Sequence, residues 1–478
     1  MEQIELAIRV PPSRSSLHLA TKDEVSIATV DTSGPLFEAL NPDVSRHENA
    51  PYPVDGGFAA WSFLVAAFLV EILIWGFPNS FGSLLVAYLD DPLYSSQPHA
   101  TTILPLVGTL CTGIMYCSGL VVYPTIQLYP RVRRYYTWIG TLVCSVSLVG
   151  ASFTTEARLS TLTPLISVEY LEPLAYAPVL SYLSEWFVRR RGLANGIIFA
   201  GANAGGIIFP LILPPLISRF GLMQTTRIYA VALALCMVPA LLFMKARLPE
   251  SRVHGPAPRA STNNMWLKDR RFWFFMTINT IQGLGHFVPL IWLPTYASSL
   301  GLSNSQSSLA LTLVNAASMF SSSAMGFMSD RFNIWVLALS SLVCTSLVTF
   351  ILWGVFSYSL AGILIYGIAY GCTAGAWSSM WSGFVKPIAK DDSSLATTLF
   401  SFFLLSRGLG NILSTPISTA LQHAHRQSAT DAAHTAHKSG FTVADGRYHD
   451  MIVYTGSCFA GAAVIAVVGW SLERRNQH

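Results

Sequence analysis

The sequence predicts an all-α membrane protein with twelve transmembrane helices in two pseudo-symmetric halves of six. Three observations carry this reading. Of the 478 residues, 52% are apolar and 11% are Asp, Glu, Lys or Arg, where a soluble domain has roughly 25% charged residues. Apolar runs recur, each near the ~20 residues a helix needs to cross a ~30 Å hydrocarbon core. Charged turns repeat at an offset close to 200 residues. This composition excludes a disordered chain, a coiled coil, a secreted disulfide scaffold and a cytosolic enzyme. The net charge of +4 is too small and too scattered to indicate nucleic acid as a partner.

Residues 1–54 hold eight acidic and four basic side chains, and prolines at 11, 12, 35, 42, 51 and 53. They lack the apolar core of a signal peptide and read as a disordered cytosolic tail. The first apolar run then serves as the internal targeting signal. Spans follow at roughly 59–82, 101–123, 135–153, 161–184, 193–217 and 226–246. After a basic cytosolic linker over 247–271 come 272–297, 306–328, 334–354, 359–384, 394–421 and 451–472. The two bundles therefore cover 55–246 and 272–472, with a short cytosolic tail at 473–478. Several runs contain Pro and Gly, which membrane helices tolerate because neighbouring groups satisfy the freed backbone.

Lys and Arg set the orientation. With the N-terminus inside, the cytosolic turns and C-terminal tail hold eighteen of them and the opposite loops six. Both termini are thus expected in the cytosol of a multi-pass protein, with the plasma membrane ahead of a vacuolar or vesicle membrane. A basic turn near 130 follows the second helix, and a similar one near 330 follows the eighth. A basic loop near 189 joins helices four and five, and a charged loop near 388 joins ten and eleven. Paired halves of this kind place a substrate site at the midplane between them. All seven cysteines lie in apolar runs, so buried free thiols are expected rather than disulfides. No metal spacing and no cofactor motif is present.

Ionisable groups in mid-span are expensive, about 2.5–3.5 kcal/mol or more unless paired or hydrated, and so point to function. Glu71 lies near the middle of helix one, with Trp75 one turn on and Asn79 another. Helix four carries Glu169 and Glu172, then Pro173, Tyr176 and Pro178. In helix seven, Asn279 and Gln282 stand at i−7 and i−4 from His286, on one face. Arg407 lies in helix eleven, with Asn411 a turn along. Asn203, Asn315, Trp377 and Trp381 add polar or aromatic lining. Each has a plainer reading as well. Arg407 could satisfy carbonyls at the Gly408/Gly410 bend, Glu71 could be a hydrogen-bonded core carboxyl, and the helix-seven stripe could be interhelical glue.

Asp55-Gly56-Gly57-Phe58-Ala59-Ala60-Trp61 resembles the sequence entering helix one of fungal monocarboxylate-transporter-like proteins of the major facilitator superfamily. Trp186-Phe187-Val188-Arg189-Arg190-Arg191-Gly192-Leu193-Ala194-Asn195-Gly196 resembles that family's second signature. Tyr129-Pro130-Arg131-Val132-Arg133-Arg134 is similar to its turn after helix two. Gln282-Gly283-Leu284-Gly285, Leu293-Pro294-Thr295-Tyr296 and Arg407-Gly408-Leu409-Gly410-Asn411 are similar to its second half. The resemblance covers about 55–472 and implies a major facilitator fold. It also implies that Gly326-Phe327-Met328-Ser329-Asp330-Arg331 locks helices at the cytosolic side, the plain alternative being a helix cap with a topogenic charge. Asp55, Arg131, Arg133, Arg134, Arg189, Arg190 and Arg191 are candidates for gating or for anchoring the topology. The turn after helix two lacks the Asp-Arg pair.

Two departures from that family matter. Ser167-Val168-Glu169-Tyr170-Leu171-Glu172-Pro173 replaces a glycine-rich stretch, so either the cavity is differently charged or the stretch reflects a mispredicted exon. Helix eight contains no charged residue, and helix one has Glu71 in place of a lysine. The carboxylate-and-proton machinery of animal lactate carriers therefore does not carry over.

The expectation is a carrier working by alternating access around a site lined by helices one, four, seven and ten, with help from five, eight and eleven. It would move a small organic molecule, with efflux of a fungal secondary metabolite leading and proton-coupled uptake of a monocarboxylate or riboflavin-like vitamin the alternative. Glu71 would take up and release a proton, and Arg407 would hold an anionic or polar part of the substrate. The protein would act as a monomer in the lipid bilayer. A non-transporting nutrient sensor is the reading from another class; such proteins usually carry long cytosolic extensions, and the C-terminal tail of six residues counts against it. No catalytic constellation suggests an enzyme. His423, His425, His434 and His437 read as a solvated loop.

Overall fold

The computed structural model describes residues 53–92, 96, 100–129, 133–153, 177–247, 264–390, 392–428 and 439–475. Its first six helices are α1 (Gly57–Asp90), α2 (Ala100–Leu128), α3 (Arg133–Ala151), the end of α4 (177–186), α5 (Arg191–Phe220) and α6 (Leu222–Phe243). The last six are α7 (Arg270–Ser299), α8 (Asn304–Ser329), α9 (Ile334–Phe356), α10 (Leu360–Ala389), α11 (Ser393–Ser428) and α12 (His449–Arg475). Each overlaps a predicted apolar run, and of the fourth run, 161–184, only the end lies within the described residues. Among the described residues, nine stretches are long and apolar enough to cross a membrane. The N-terminal tail through residue 52, Arg131, Glu169, Glu172, Tyr176, His434 and His437 lie outside the described residues.

These helices are apolar around most of their circumference because both faces meet apolar surroundings. One face packs on neighbouring helices. The other presents Val231, Leu235, Phe320, Ile365 and Val464 to the outside of the bundle, a surface suited to lipid rather than water. The same geometry corrects the expectation for the thiols. Cys144 is buried, but Cys236, Cys344 and Cys372 are exposed on the bundle's exterior. An apolar run signals lipid contact as readily as burial.

One end of the bundle gathers the basic turns. There Arg133, at the start of α3, pairs with Glu185 of α4 at 2.6 Å and both are buried. Arg133 also donates to Ser181 and lies 4.1 Å above the Tyr182 ring. The Trp186 indole donates to the Lys245 carbonyl beyond α6. In the last six helices, Glu473 of α12 accepts from the Trp335 indole of α9 and stands 3.8 Å from Arg271 of α7. Arg133 is thus a tie between α3 and α4, whereas Arg134 is exposed.

Among the described residues, the crossings of α5 with α8 and of α2 with α11 join the first six helices to the last six, and α5 also meets α10. Where α5 crosses α8, glycines allow backbone to meet backbone, as small residues do in membrane bundles. A Cβ on Gly326 would stand 2.9 Å from the Gly196 Cα and would collide with the Gly192 carbonyl. Where α2 crosses α11, Gly408 meets Tyr116 and Cys117, and Gly113 meets Ile412.

Forcing side-chain volume into the first crossing should separate the two helices. Gly326→Leu is expected to destabilise the purified protein by about 1–3 kcal/mol, the usual cost of overpacking, read as a lower thermal midpoint. Gly461→Leu, at a site with nothing within 4 Å of the added atom, should leave the midpoint unchanged. Equal shifts would show that the crossing has slack.

Candidate functional site

The first N–H groups of a helix have no partner within it. At α5 they emerge at the crossing with α8, and the N-cap residue Arg190 provides no side-chain cap. Asp330 takes two of these groups, and Asp55 holds the turn that leads into the helix. Asp55 accepts from the N–H of Val188, Arg189 and Arg190, each at 3.0 Å. Its own N–H donates to the Trp186 carbonyl, and its φ of 58° is the left-handed conformation that aims the carboxyl at the loop. Asp330, from the end of α8, accepts from Gly192 at 2.8 Å and Leu193 at 2.9 Å. The anion also complements the positive end of the helix dipole.

No arginine pairs with Asp330 among the described residues. Arg331 lies 4.0 Å from the centre of the Phe327 ring, and Asp330 binds main chain instead. The Asp330 carboxyl is pushed above its ordinary range, chiefly by burial. The Leu193 and Gly192 N–H groups and Lys386 oppose this, and the Asp55 carboxylate adds to it. Arg189 and Arg190 are exposed, so this stretch enters the latch through its backbone. Arg191 faces the Phe400 ring of α11 at 5.9 Å. The pseudo-symmetric helix α11 is capped by Asp392, just ahead of it, through Ser394 and Leu395. The carboxylate latch is one-sided.

Mid-bundle, a polar cluster draws on both groups of helices. Glu71 of α1 is fully buried, and neither carboxyl oxygen has a hydrogen-bond partner. The Trp75 indole nitrogen lies near it but outside hydrogen-bond geometry, and is itself unpaired. Trp75 packs on Tyr116 of α2 with ring centres 5.2 Å apart, and Tyr116 meets Phe287 of α7 at 6.1 Å. Arg407 of α11 stands 5.2 Å from the Phe287 ring and donates to the Gln282 side-chain carbonyl at 2.6 Å. It also approaches the Tyr116 phenol. His286 is buried beside Tyr370, whose hydroxyl donates to the His286 carbonyl at 2.9 Å. Glu71, Trp75, Gln282, His286 and Arg407 therefore come together as a single cluster.

Asn279 has a different place. Its side-chain oxygen accepts from both Trp377 at 2.8 Å and Trp381 at 3.0 Å, while its amide donates to Phe403 and Ser406. With two bonds accepted and two donated, no hydrogen-bonding capacity is left for a solute. The three residues tie α7, α10 and α11 together at a break in α10. There the helix gives way to a turn and a 3₁₀ stretch, Trp377–Met380. Asn195 of α5 reaches the Ser378 and Ser379 carbonyls at that break, at 3.4 and 3.3 Å.

The remaining asparagines bridge helices. Asn79 donates to the Ala202 carbonyl at 3.0 Å, Asn203 to Ser322 at 3.2 Å, and Asn315 to the Gly206 carbonyl at 3.3 Å. Asn411 donates to Thr112 at 2.6 Å. The last three link the first six helices to the last six. Sequence reasoning missed Tyr116, Phe287 and Asn195. Tyr116 sits in a run that reads as plain lipid-spanning sequence. Asn195 follows three arginines, and nothing in its local pattern marks it as a partner of the α10 break.

Loss of the Asp330 carboxylate should free the start of α5. In Asp330→Ala, amide hydrogen exchange over residues 188–196 is expected to speed up by about ten-fold or more, from charge-assisted bonds of about 1.5–3 kcal/mol. Unchanged exchange would show that the latch contributes nothing there.

Comparison with known proteins places this arrangement. A family model described as Major Facilitator Superfamily matches residues 170–415, just over half of the chain. "MFS-type transporter 1" of Ophiocordyceps sp. (strain BCC 1869) is 28% identical over 352 residues, 73% of this chain and 75% of that protein. The "Aspyridones efflux protein apdF" of Emericella nidulans is 25% identical over 375 residues, 78% of this chain and 74% of that one. The fold is similar to that of the proton:xylose symporter XylE, with a TM-score of 0.61 and 14% identity over 85% of this chain and 94% of that one. The chain belongs to the Major Facilitator Superfamily, and its function is transport.

Proposed function

We propose that this carrier exports a small organic molecule, a fungal secondary metabolite, by alternating access, with Glu71 carrying the coupling proton. The observation that bears the proposal is the Glu71 carboxyl, wholly buried and without a hydrogen-bond partner, in a cluster shared by α1, α2, α7 and α11. A charge buried unpaired is costly, and carrying a proton removes that cost. Loading and unloading Glu71 can therefore bias which way the bundle opens. The relative named for aspyridone efflux supports the export reading.

The halves, 55–246 and 272–472, rock about the α5–α8 and α2–α11 crossings. The signature starting at Asp55 supports a place in the monocarboxylate-porter-like branch, while the uncharged α8 argues against lactate as substrate. The basic end is the cytosolic one, both termini lie on that side, and the protein works as a monomer in the plasma membrane. With Asp330 seated on α5, the cytosolic pathway is the closed one.

A producing or heterologous host lacking the carrier should retain a metabolite that the parent secretes. Glu71→Gln keeps the shape and removes the titration. Its secretion is expected to fall by about ten-fold or more at pH values where the parent exports, as for loss of a proton-transfer group, and to lose its pH dependence. Export by Glu71→Gln equal to the parent at every pH would remove Glu71 from the coupling step.

A further inference from the structure

The buried cation of the central cluster is held by an amide and not by an acid. Arg407 is 3% exposed, and its side-chain bond runs to the Gln282 oxygen at 2.6 Å. Among the described residues no carboxylate pairs with it. A buried guanidinium without a counter-ion is costly, and a fold that wanted a neutral site could place a carboxylate at position 282 with almost the same shape. Three buried N–H donors of the cluster are also without partners. They are the Arg407 Nε, the Gln282 Nε2 and, from the opposite group of helices, the Trp75 Nε1. Buried polar groups are normally satisfied, and an unsatisfied one calls for an explanation.

Aromatic rings fill the space between those donors. Trp75, Tyr116 and Phe287 run in sequence from α1 to α7 with ring centres 5.2 and 6.1 Å apart, and Phe287 lies 5.2 Å from the guanidinium. The pairs are tilted and edge-on, an apolar aromatic surround that suits a flat body better than a small hydrated ion.

We infer that the transported molecule is a flat, conjugated organic anion whose oxygen becomes the counter-ion of Arg407, and that Gln282 sets this charge preference by orienting the guanidinium without neutralising it. The inference rests on the export reading in taking this cluster as the transport site. The oxyanion accepts from Arg407 and Gln282, the conjugated body lies against Tyr116 and Phe287, and a second acceptor oxygen reaches Trp75. A ligand bound this way bridges both groups of helices. Gln282 is a positioning residue for Arg407 as well as a contact.

The test uses the full chain in nanodiscs, with binding read from quenching of its tryptophan fluorescence. The probes are 2-naphthoate, its neutral near-isostere 2-naphthamide, and L-lactate, an anion without a flat body. Naphthoate is expected to bind about ten-fold or more tightly than naphthamide, the usual worth of a charge-assisted contact. Lactate should displace naphthoate about a hundred-fold less effectively than naphthoate itself, having no ring to bury. Gln282→Glu places a carboxylate on Arg407 and should bring the naphthoate-to-naphthamide ratio to about one, as a buried pair excludes a second anion. Should that variant fail to fold, Arg407→Gln is expected to level the same ratio. Naphthamide binding as tightly as naphthoate, a ratio unchanged in the folded variant, lactate competing as well as naphthoate, or no probe binding would each overturn the inference. Those outcomes leave the export reading standing on the secretion assay. Loss of secretion phenotypes with the probe ratios intact would instead overturn export and keep the anion site.

Discussion

The start of α5 is the point on which the two ends of the mechanism depend. Two N–H groups of its first turn go to Asp330, and three of the turn leading into it go to Asp55. A helix must satisfy these groups somewhere, and here part of that requirement is met by a residue from the other six helices. The bonds exist while α5 and α8 touch, and the contact itself needs Gly192, Gly196 and Gly326. Two charge-assisted bonds at about 1.5–3 kcal/mol each are enough to shift a two-state equilibrium by about a hundred-fold or more. Parting the basic end therefore requires something else to compensate, and the central cluster is placed to do so.

That cluster shares the construction of the latch. Its polar side chains are satisfied across helix interfaces or left unpaired. Asn279 illustrates the first case, with four bonds across α7, α10 and α11 fixing the α10 break. Glu71 and Arg407 illustrate the second, being buried at mid-bundle with polar atoms unpartnered. Asn279 thus has no bonding capacity to spare, whereas Glu71, Trp75, Gln282 and Arg407 each keep an unpartnered polar atom. Asn195, Asn203, Asn315 and Asn411 lie at the boundary, since they join the two groups of helices.

The helical architecture was legible in the sequence because hydropathy and segment length are local quantities, and they decide a membrane fold almost by themselves. The site was partly legible. Glu71 and Arg407 stood out because charge is rare in a span, and the stripe of Gln282 and His286 followed from helical spacing. Tyr116 and Phe287 were not legible, since an aromatic residue in an apolar run looks like any lipid-facing side chain until the crossing of α2 with α11 is known. The latch was half visible. Asp330 and its glycine could be picked out, but the partner is main chain, which no side-chain pattern announces, and Arg331 turned out to lie on Phe327 instead. The three exterior cysteines show the same limit from the other side, because apolarity does not say which way a helix face is turned.

On the proposed mechanism, the α5–α8 contact at the basic end and the opposite end of the bundle open in alternation, governed by one latch and one shared site. Spin-label distance measurements test it most directly, with one pair spanning α5 and α8 at the basic end and a second pair spanning the two groups of helices at the other. Two populations are predicted, in which a long distance at one end accompanies a short distance at the other, and removal of the Asp330 carboxylate enriches the basic-end-open population. Distances that lengthen together at both ends, or a single population that ignores Asp330, would contradict it.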